Sequence, residues 1–379
     1  MGVLRSVAMP PPARPTALAA EPLAITGRGL VSACGAGVRA LAQRLRAPRA
    51  PAAARLPASV ARGLAHDQGA RIPEALVDPQ DRLRSALEAA LREALEEAGI
   101  DPRTRTVGLA LGTALGDTDR ADRALEPVPP GADPRAWLAL VAPHALTLDL
   151  ARRLGLTGPC TTASVTCASG SYALEQAALD LATGRADAML VAGADALGRL
   201  TQAGFSALGA LADALDPAGN PLDGLVLGEA ACALVLERGA PSRTRAVLRG
   251  RGLAADASHL TTPDASGKGM ARAITRALAM ADVAPREVGL VATSAVGSPA
   301  YAALYQGALG AVFGATAPPV ASWESRTAHA LAATTTLGAI YASLAFDGAH
   351  GEPALTRPAL TLTVGFGGQN GALVLAPIR

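Results

Sequence analysis

Two stretches of this chain echo one another, and that repetition limits the fold more than any other feature. A helix-forming segment over 85–98 runs through Asp101-Pro102-Arg103 into the apolar run Val107-Gly108-Leu109. A second, over 270–281, runs through Pro285-Arg286-Glu287 into Val288-Gly289-Leu290. Ala233-Leu234-Val235-Leu236 likewise recurs as Ala372-Leu373-Val374-Leu375, each time after a glycine-rich approach. Two echoes in the same order predict a duplicated chain, with similar α/β halves over 22–240 and 241–379 behind a Pro-rich, loose tail over 1–21.

The elements between these marks alternate between the two periods. Ser85 to Ala98 carries an apolar stripe of Ala86, Leu87, Ala90, Leu91, Ala94 and Leu95 with Glu and Arg opposite, and Gly99 ends it. Trp137 to Leu154 and roughly Ala330 to Phe346 also read as helices. Pro22 to Ser32 reads as an opening strand with a break marked by Gly27 and Gly29. Short apolar runs at Ala188–Val191, Ala231–Leu236, Leu248–Leu253, Val288–Ala292, Val320–Ser322 and Leu360–Val364 read as buried strands. Residues 46–81 lack clear periodicity and read as a surface excursion.

The chemistry points to 158–194. A run of small and β-branched residues, Thr161 to Thr166, stops at Cys167; Ala168, Ser169 and Gly170 open a helix, and the strand Ala188–Val191 follows. Cys167 therefore sits at a strand-to-helix elbow. Unpaired N–H groups and about half a positive charge at a helix N-terminus favour thiolate over thiol. The small residues leave room for a substrate, so Cys167 reads as a nucleophile rather than as a small core hydrophobe.

Composition excludes several alternatives. The 379 residues are 50% hydrophobic, with a net charge of +2 and 3% aromatic residues, and no basic run or stacking platform suggests nucleic acid. No apolar run reaches the roughly 18 residues of a membrane span, and residues 1–21 lack a signal-peptide core. The four cysteines, Cys34, Cys160, Cys167 and Cys232, have no zinc-like spacing and read as reduced thiols of a cytoplasmic protein with no metal or other cofactor.

Four motifs in order resemble the β-ketoacyl synthases of the thiolase superfamily. They are SVTCASG (164–170), GLVLGEAACALVLE (224–237), SWESRTAH (322–329) and GFGGQNG (365–371). The resemblance implies a thiolase-like α/β fold whose two halves have mixed sheets and helices in layers. It implies acylation of Cys167 from an acyl carrier protein or CoA thioester, in fatty acid or polyketide biosynthesis. The N–H groups of Cys167 and Phe366 would form the oxyanion hole, and His329 would be one catalytic histidine. It also implies a dimer, homodimer or heterodimer with a related chain, joined through Ala188–Val191 as an edge strand.

The departures are as specific as the matches. Ser294, in TSAVGSPA, stands where the family has the first of its two catalytic histidines, and Glu324 stands where it has a lysine. A serine cannot hold the positive charge of an imidazolium, and losing one such donor costs about 100- to 1000-fold. Glu324 beside His329 would turn the site towards a Cys–His–acid arrangement suited to acyl transfer or hydrolysis. The alternative is a non-condensing partner subunit like a chain-length factor, and a third reading is an inert scaffold. His66, His144, His259 and His350 fall in no motif; His259 reads as part of a surface turn.

Overall fold

Glycines in the first strand let the sheet and its covering helix approach closely. The computed structural model describes residues 21–47, 53–118, 142–216, 221–294, 297–349 and 351–378. Strand β1 (Leu23–Ser32) is buried throughout, and helix α1 (Arg82–Ala98) crosses it. A Cβ at Gly27 or Gly29 would stand 1.9 or 1.8 Å from the carbonyl oxygens of Ala94 and Ala90. These glycines admit the helix rather than break the strand, which corrects the sequence expectation. The irregularity there is a register shift between Ile25 and Gly27. On α1 the predicted stripe is buried together with Leu83 and Ala98, and Gly99 caps it at φ 60°. Each leucine so buried contributes about 1.5–3 kcal/mol.

The first half continues with β2 (Val107–Gly112), α2 (Pro143–Leu154), β3 (Cys160–Ala163) and α3 (Ser169–Ala182). It ends with β4 (Ala188–Asp195), α4 (Arg199–Ala207) and β5 (Ala230–Arg238). The N-terminal part of the helix expected over Trp137–Leu154, the loop before it and the tail over 1–20 lie outside the described residues. The second half comprises β6 (Ala246–Ala255), α5 (Lys268–Ala281), β7 (Leu290–Thr293), α6 (Pro299–Phe313), β8 (Val320–Ser322), α7 (Thr334–Phe346), β9 (Ala359–Gly365) and β10 (Gln369–Ala376).

The duplication is legible in the topology. The strands run β8-β7-β9-β10-β6-β1-β5-β4-β2-β3 through one mixed sheet. From the edges inward, β3-β2-β4-β5-β1 matches β8-β7-β9-β10-β6. In each half the outer three strands are parallel and the inner pairings antiparallel. Residue alternation then sets the layers. Leu234 and Leu236 of β5, like Leu373 and Leu375 of β10, pack with α3 and α7. Ala233 and Val235 pack with α1 and α2, while Ala372 and Val374 pack with α5 and α6. Helix α7 is buried at every position, as a helix apolar on all sides must be.

One strand expectation is overturned. The run Ala188–Val191 belongs to β4, hydrogen-bonded to β5 on one side and β2 on the other. It is interior to the sheet and cannot pair with a partner chain. The edges of this sheet are β3 and β8, where strand N–H and C=O groups are left open.

Candidate active site

Cys167 lies where the sequence puts it, between the end of β3 and the start of α3, and it is buried. The turn is strained: Thr166, a β-branched residue, has φ 51°. Ser169 holds it, its Oγ accepting from the Val165 amide at 2.8 Å while its own amide donates to the Thr166 carbonyl at 3.1 Å. The GFGG loop closes over the elbow. A Cβ at Gly365 would come within 3.2 Å of the Cys167 nitrogen, so only glycine permits this approach. The Thr166 hydroxyl donates to the Phe366 carbonyl at 3.2 Å, and the Phe366 ring stacks on Phe205 at 5.6 Å between centroids.

His329 arrives from the second half. Its amide donates to the Val226 carbonyl and its carbonyl accepts from the Gly228 amide, both at 2.8 Å, so its backbone is tied to the GLVLGE segment. Ala328, just before it, has φ 56°. The ring bridges two partners: Nε2 lies 3.2 Å from Cys167 Sγ, and Nδ1 lies 2.7 Å from Glu324 Oε1. All three side chains are buried. Cys167, His329 and Glu324 thus form one hydrogen-bonded line.

Electrostatics fix the sense of that line. Burial works against an imidazolium, but the charges of Glu324 and Cys167 outweigh it and hold His329 well above the ordinary imidazole range. Burial pushes the Glu324 carboxyl up, and His329 pulls it back. Asp195 braces the same region from the first half. Buried and pushed up to about 6 by desolvation, it accepts from the amides of Ala114, Leu115 and Ala332 and from the Thr113 hydroxyl. Ala332 follows His329 by three residues, so Asp195 joins the two halves beside the ring. Nothing in the local sequence around Asp195 marks it.

Ser294 is not part of the line. It is buried, and its Oγ lies 3.0 Å from the Tyr305 hydroxyl. Tyr305 and Tyr301, one turn apart on α6, pack in the same cluster as Cys167. The sequence reading passed over α6, although Ser298-Pro299 opens it and Tyr301, Leu304, Tyr305, Ala308 and Leu309 keep helical spacing. The other described histidines lie away from this line. His66 bonds Ser206 and Asp213, His144 bonds Thr162, and His259 caps an exposed turn at the Thr261 and Thr262 amides. His350 lies outside the described residues. Among the described residues no cluster of His, Cys, Asp or Glu could hold a metal ion, and no helix is long and apolar enough to cross a membrane.

A duplicated, layered α/β sheet that brings Cys167, at a strand-to-helix elbow of one half, against His329 of the other has the thiolase-like architecture. The N- and C-terminal domain models of the β-ketoacyl synthases match residues 20–241 and 245–355, and the chain belongs to that family. It is 28% identical over 336 residues to 3-oxoacyl-[acyl-carrier-protein] synthase 2 of Staphylococcus aureus (strain COL), covering 78% of this chain and 81% of that one. It superposes on the ishigamide ketosynthase/chain length factor with TM-score 0.84 and 26% identity, over 95% of this chain and 100% of that one. The ketosynthase ApeO in complex with its chain length factor ApeC, from Xenorhabdus doucetiae, matches in fold at TM-score 0.79 and 23% identity, over 94% of this chain and 98% of that one.

Proposed function

We propose that this protein is an acyltransferase of ketosynthase type, loading Cys167 with an acyl group from an acyl carrier protein or CoA thioester. The observation that carries this is the buried Cys167–His329–Glu324 line, at 3.2 and 2.7 Å. His329 Nε2 takes the Cys167 proton, and Sγ bonds to the thioester carbon. The donor's C–S bond breaks, and the leaving thiolate recovers the proton from His329. Glu324 orients the ring through Nδ1 and offsets its charge. The N–H groups of Cys167 and Phe366 are assigned the acyl oxygen, a reading supported by the close approach of Gly365 to the Cys167 amide. The acylated cysteine passes its group to a second thiol, an amine or water, in fatty acid or polyketide biosynthesis within the cytoplasm. Incubation with acyl-carrier thioesters followed by intact and peptide mass spectrometry tests this. An acyl adduct on Cys167 is expected, and its absence would sink the assignment.

Decarboxylative condensation by the chain alone is not part of this reading. Ser294 is engaged by Tyr305, and His329, the one imidazole in the line, is paired with Glu324. A malonyl carboxylate would stand beside an acid with no second cation to receive it. Carbon dioxide release from malonyl thioester by the pure protein is therefore expected to be about 100-fold or more below its acyl-exchange rate. Release at a comparable rate would show that another group has taken the role.

The same substitutions favour the second reading, a non-condensing partner of an active ketosynthase. An inert partner has no use for an assembled Cys–His–Glu line, so an adduct on Cys167 separates the two. Either reading calls for a dimer with a second copy or a related chain, and the open edge β3 is the strand placed to pair across a two-fold axis. Light scattering at micromolar concentration is expected to give the mass of a dimer for the pure protein or for its mixture with that chain. A monomer in both would count against it.

A further inference from the structure

A cavity of about 300 Å³ opens beside the GLVLGE segment, with His66, Asp67, Gln202 and Asp213 in its wall. None of Cys167, His329 and Glu324 lines it. Val226 touches both places, since it lines the cavity and its carbonyl accepts from the His329 amide at 2.8 Å. Gln202 sets this cavity apart. It is fully buried on α4, and its Nε2 donates to the carbonyls of His66 at 2.9 Å and Gln68 at 3.4 Å. Those two acceptors fix which way the amide points. Among the described residues its Oε1 meets no hydrogen-bond partner. A buried acceptor without a donor is unfavourable, and this one is satisfied when a donor enters the cavity.

The rest of the lining defines that donor. The His66 ring lies 2.9 Å from Asp213 Oδ1 through Nε2 and 2.9 Å from Ser206 Oγ through Nδ1. A carboxylate only accepts, so the neutral ring carries its proton on Nε2 and takes the Ser206 hydroxyl at Nδ1. His66 then has no donor to spare. Ser206 sits in the last turn of α4, whose carbonyl end opposes an oxyanion, so this Ser–His–Asp row is a scaffold rather than a hydrolase. Two carboxylates line the cavity, and no lysine or arginine does. Arg55 offsets Asp67 at 2.8 Å from the solvent side, which leaves Asp213 to make the lining net negative. The wall therefore offers acceptors and suits a cation. His66, Asp67 and Asp213 do not form a metal-holding cluster. No aromatic ring lines the cavity either, so a quaternary ammonium would find no face to rest on. A primary ammonium brings three donors.

We propose that this cavity binds a primary ammonium group at the end of a short alkyl chain. The ammonium donates to Gln202 Oε1 and to the Asp213 carboxylate, and the alkyl part rests on Leu211, Leu215 and Leu225. His66 brings the two acceptors together, its carbonyl held by Gln202 and its ring by Asp213. This site is separate from acyl transfer through Cys167 and does not rest on it.

The test is calorimetric titration of the full chain at neutral pH and physiological salt with n-pentylamine hydrochloride, 1-pentanol and tetramethylammonium chloride. Pentylamine is expected to saturate at one per chain, with an affinity about tenfold or more above that of either control. Gln202→Leu and Asp213→Asn are each expected to lower the pentylamine affinity about tenfold and to leave 1-pentanol unchanged. Asp213 is 83% exposed, so Asp213→Asn carries the comparison if Gln202→Leu does not fold. Cys167→Ala is expected to bind pentylamine as the native chain does. Tighter binding of Nα-acetyl-lysinamide than of pentylamine would support the site with the ammonium on a partner's lysine, and weaker binding would support it with a free amine. Equal affinity for pentylamine and 1-pentanol, or binding unchanged in Asp213→Asn and in folded Gln202→Leu, would overturn the proposal. Binding lost in Cys167→Ala would place the amine at the Cys167 line and overturn it too. No saturable binding of pentylamine would leave the cavity to water and overturn it as well.

Discussion

Cys167→Ala is expected to abolish covalent acylation, whereas Cys34→Ala, Cys160→Ala and Cys232→Ala retain it. The four thiols sit in different places. Among the described residues Cys167 alone of the four meets an imidazole, with His329 Nε2 3.2 Å away. Burial pushes the Cys232 and Cys160 thiols up, and Cys232 is sealed within the sheet. Cys34 donates to the Arg326 carbonyl at 3.2 Å, and burial raises its thiol as well. Iodoacetamide at neutral pH should therefore label Cys167 first among these thiols. Faster labelling at any of the other three in the native protein would defeat the argument from the elbow and the imidazole.

His329→Ala is expected to slow acylation of Cys167 by about 100-fold or more, because the cysteine proton and the leaving thiolate lose their shuttle. Glu324→Gln is expected to cost less and to leave a different signature. Burial alone would hold His329 low, and Glu324 is the largest influence opposing it. Removing that charge lets the imidazolium lose its proton at lower pH. The alkaline limb of the acyl-transfer rate, which needs the protonated ring as donor to the leaving thiol, should move to lower pH. The fall should be larger at pH 8 than at pH 6. A pH profile in Glu324→Gln that keeps its alkaline limb in place would mean that the carboxylate does not act on the ring.

Much of this molecule was legible in the chain. The repeat predicted two similar halves, because a duplicated pattern of helix and strand periods can bury its apolar faces only by forming the same unit twice. The strands and helices fall within a few residues of their predicted ends where apolar spacing is strong, as in α1 and β8. Cys167 was legible because small residues, a β-branched run and a helix start coincide at it. His329 and Phe366 were legible through ordered motifs, which record a family's geometry.

What stayed hidden depends on contacts between residues far apart in the chain. The family resemblance implied that Ala188–Val191 is an edge strand, and its apolar composition did not contradict this, yet the place of β4 is set by β2 and β5, which lie on either side of it in space. The direction of the Glu324 carboxylate was open in sequence; the one-turn helix at Glu324–Thr327 and the left-handed Ala328 turn the ring and the acid towards each other. Asp195 acts across 137 residues on the Ala332 amide, a pairing that no local pattern carries. The two tyrosines of α6 lie on a helix that was not anticipated from the chain. Only the fold brings the Tyr305 hydroxyl against Ser294, eleven residues away in the chain. The sequence by itself determined which residues could react, since chemistry and local periodicity belong to neighbours in the chain. The tertiary structure decided which of them meet, since a hydrogen bond forms only over a few ångströms and the halves reach that distance only when folded together.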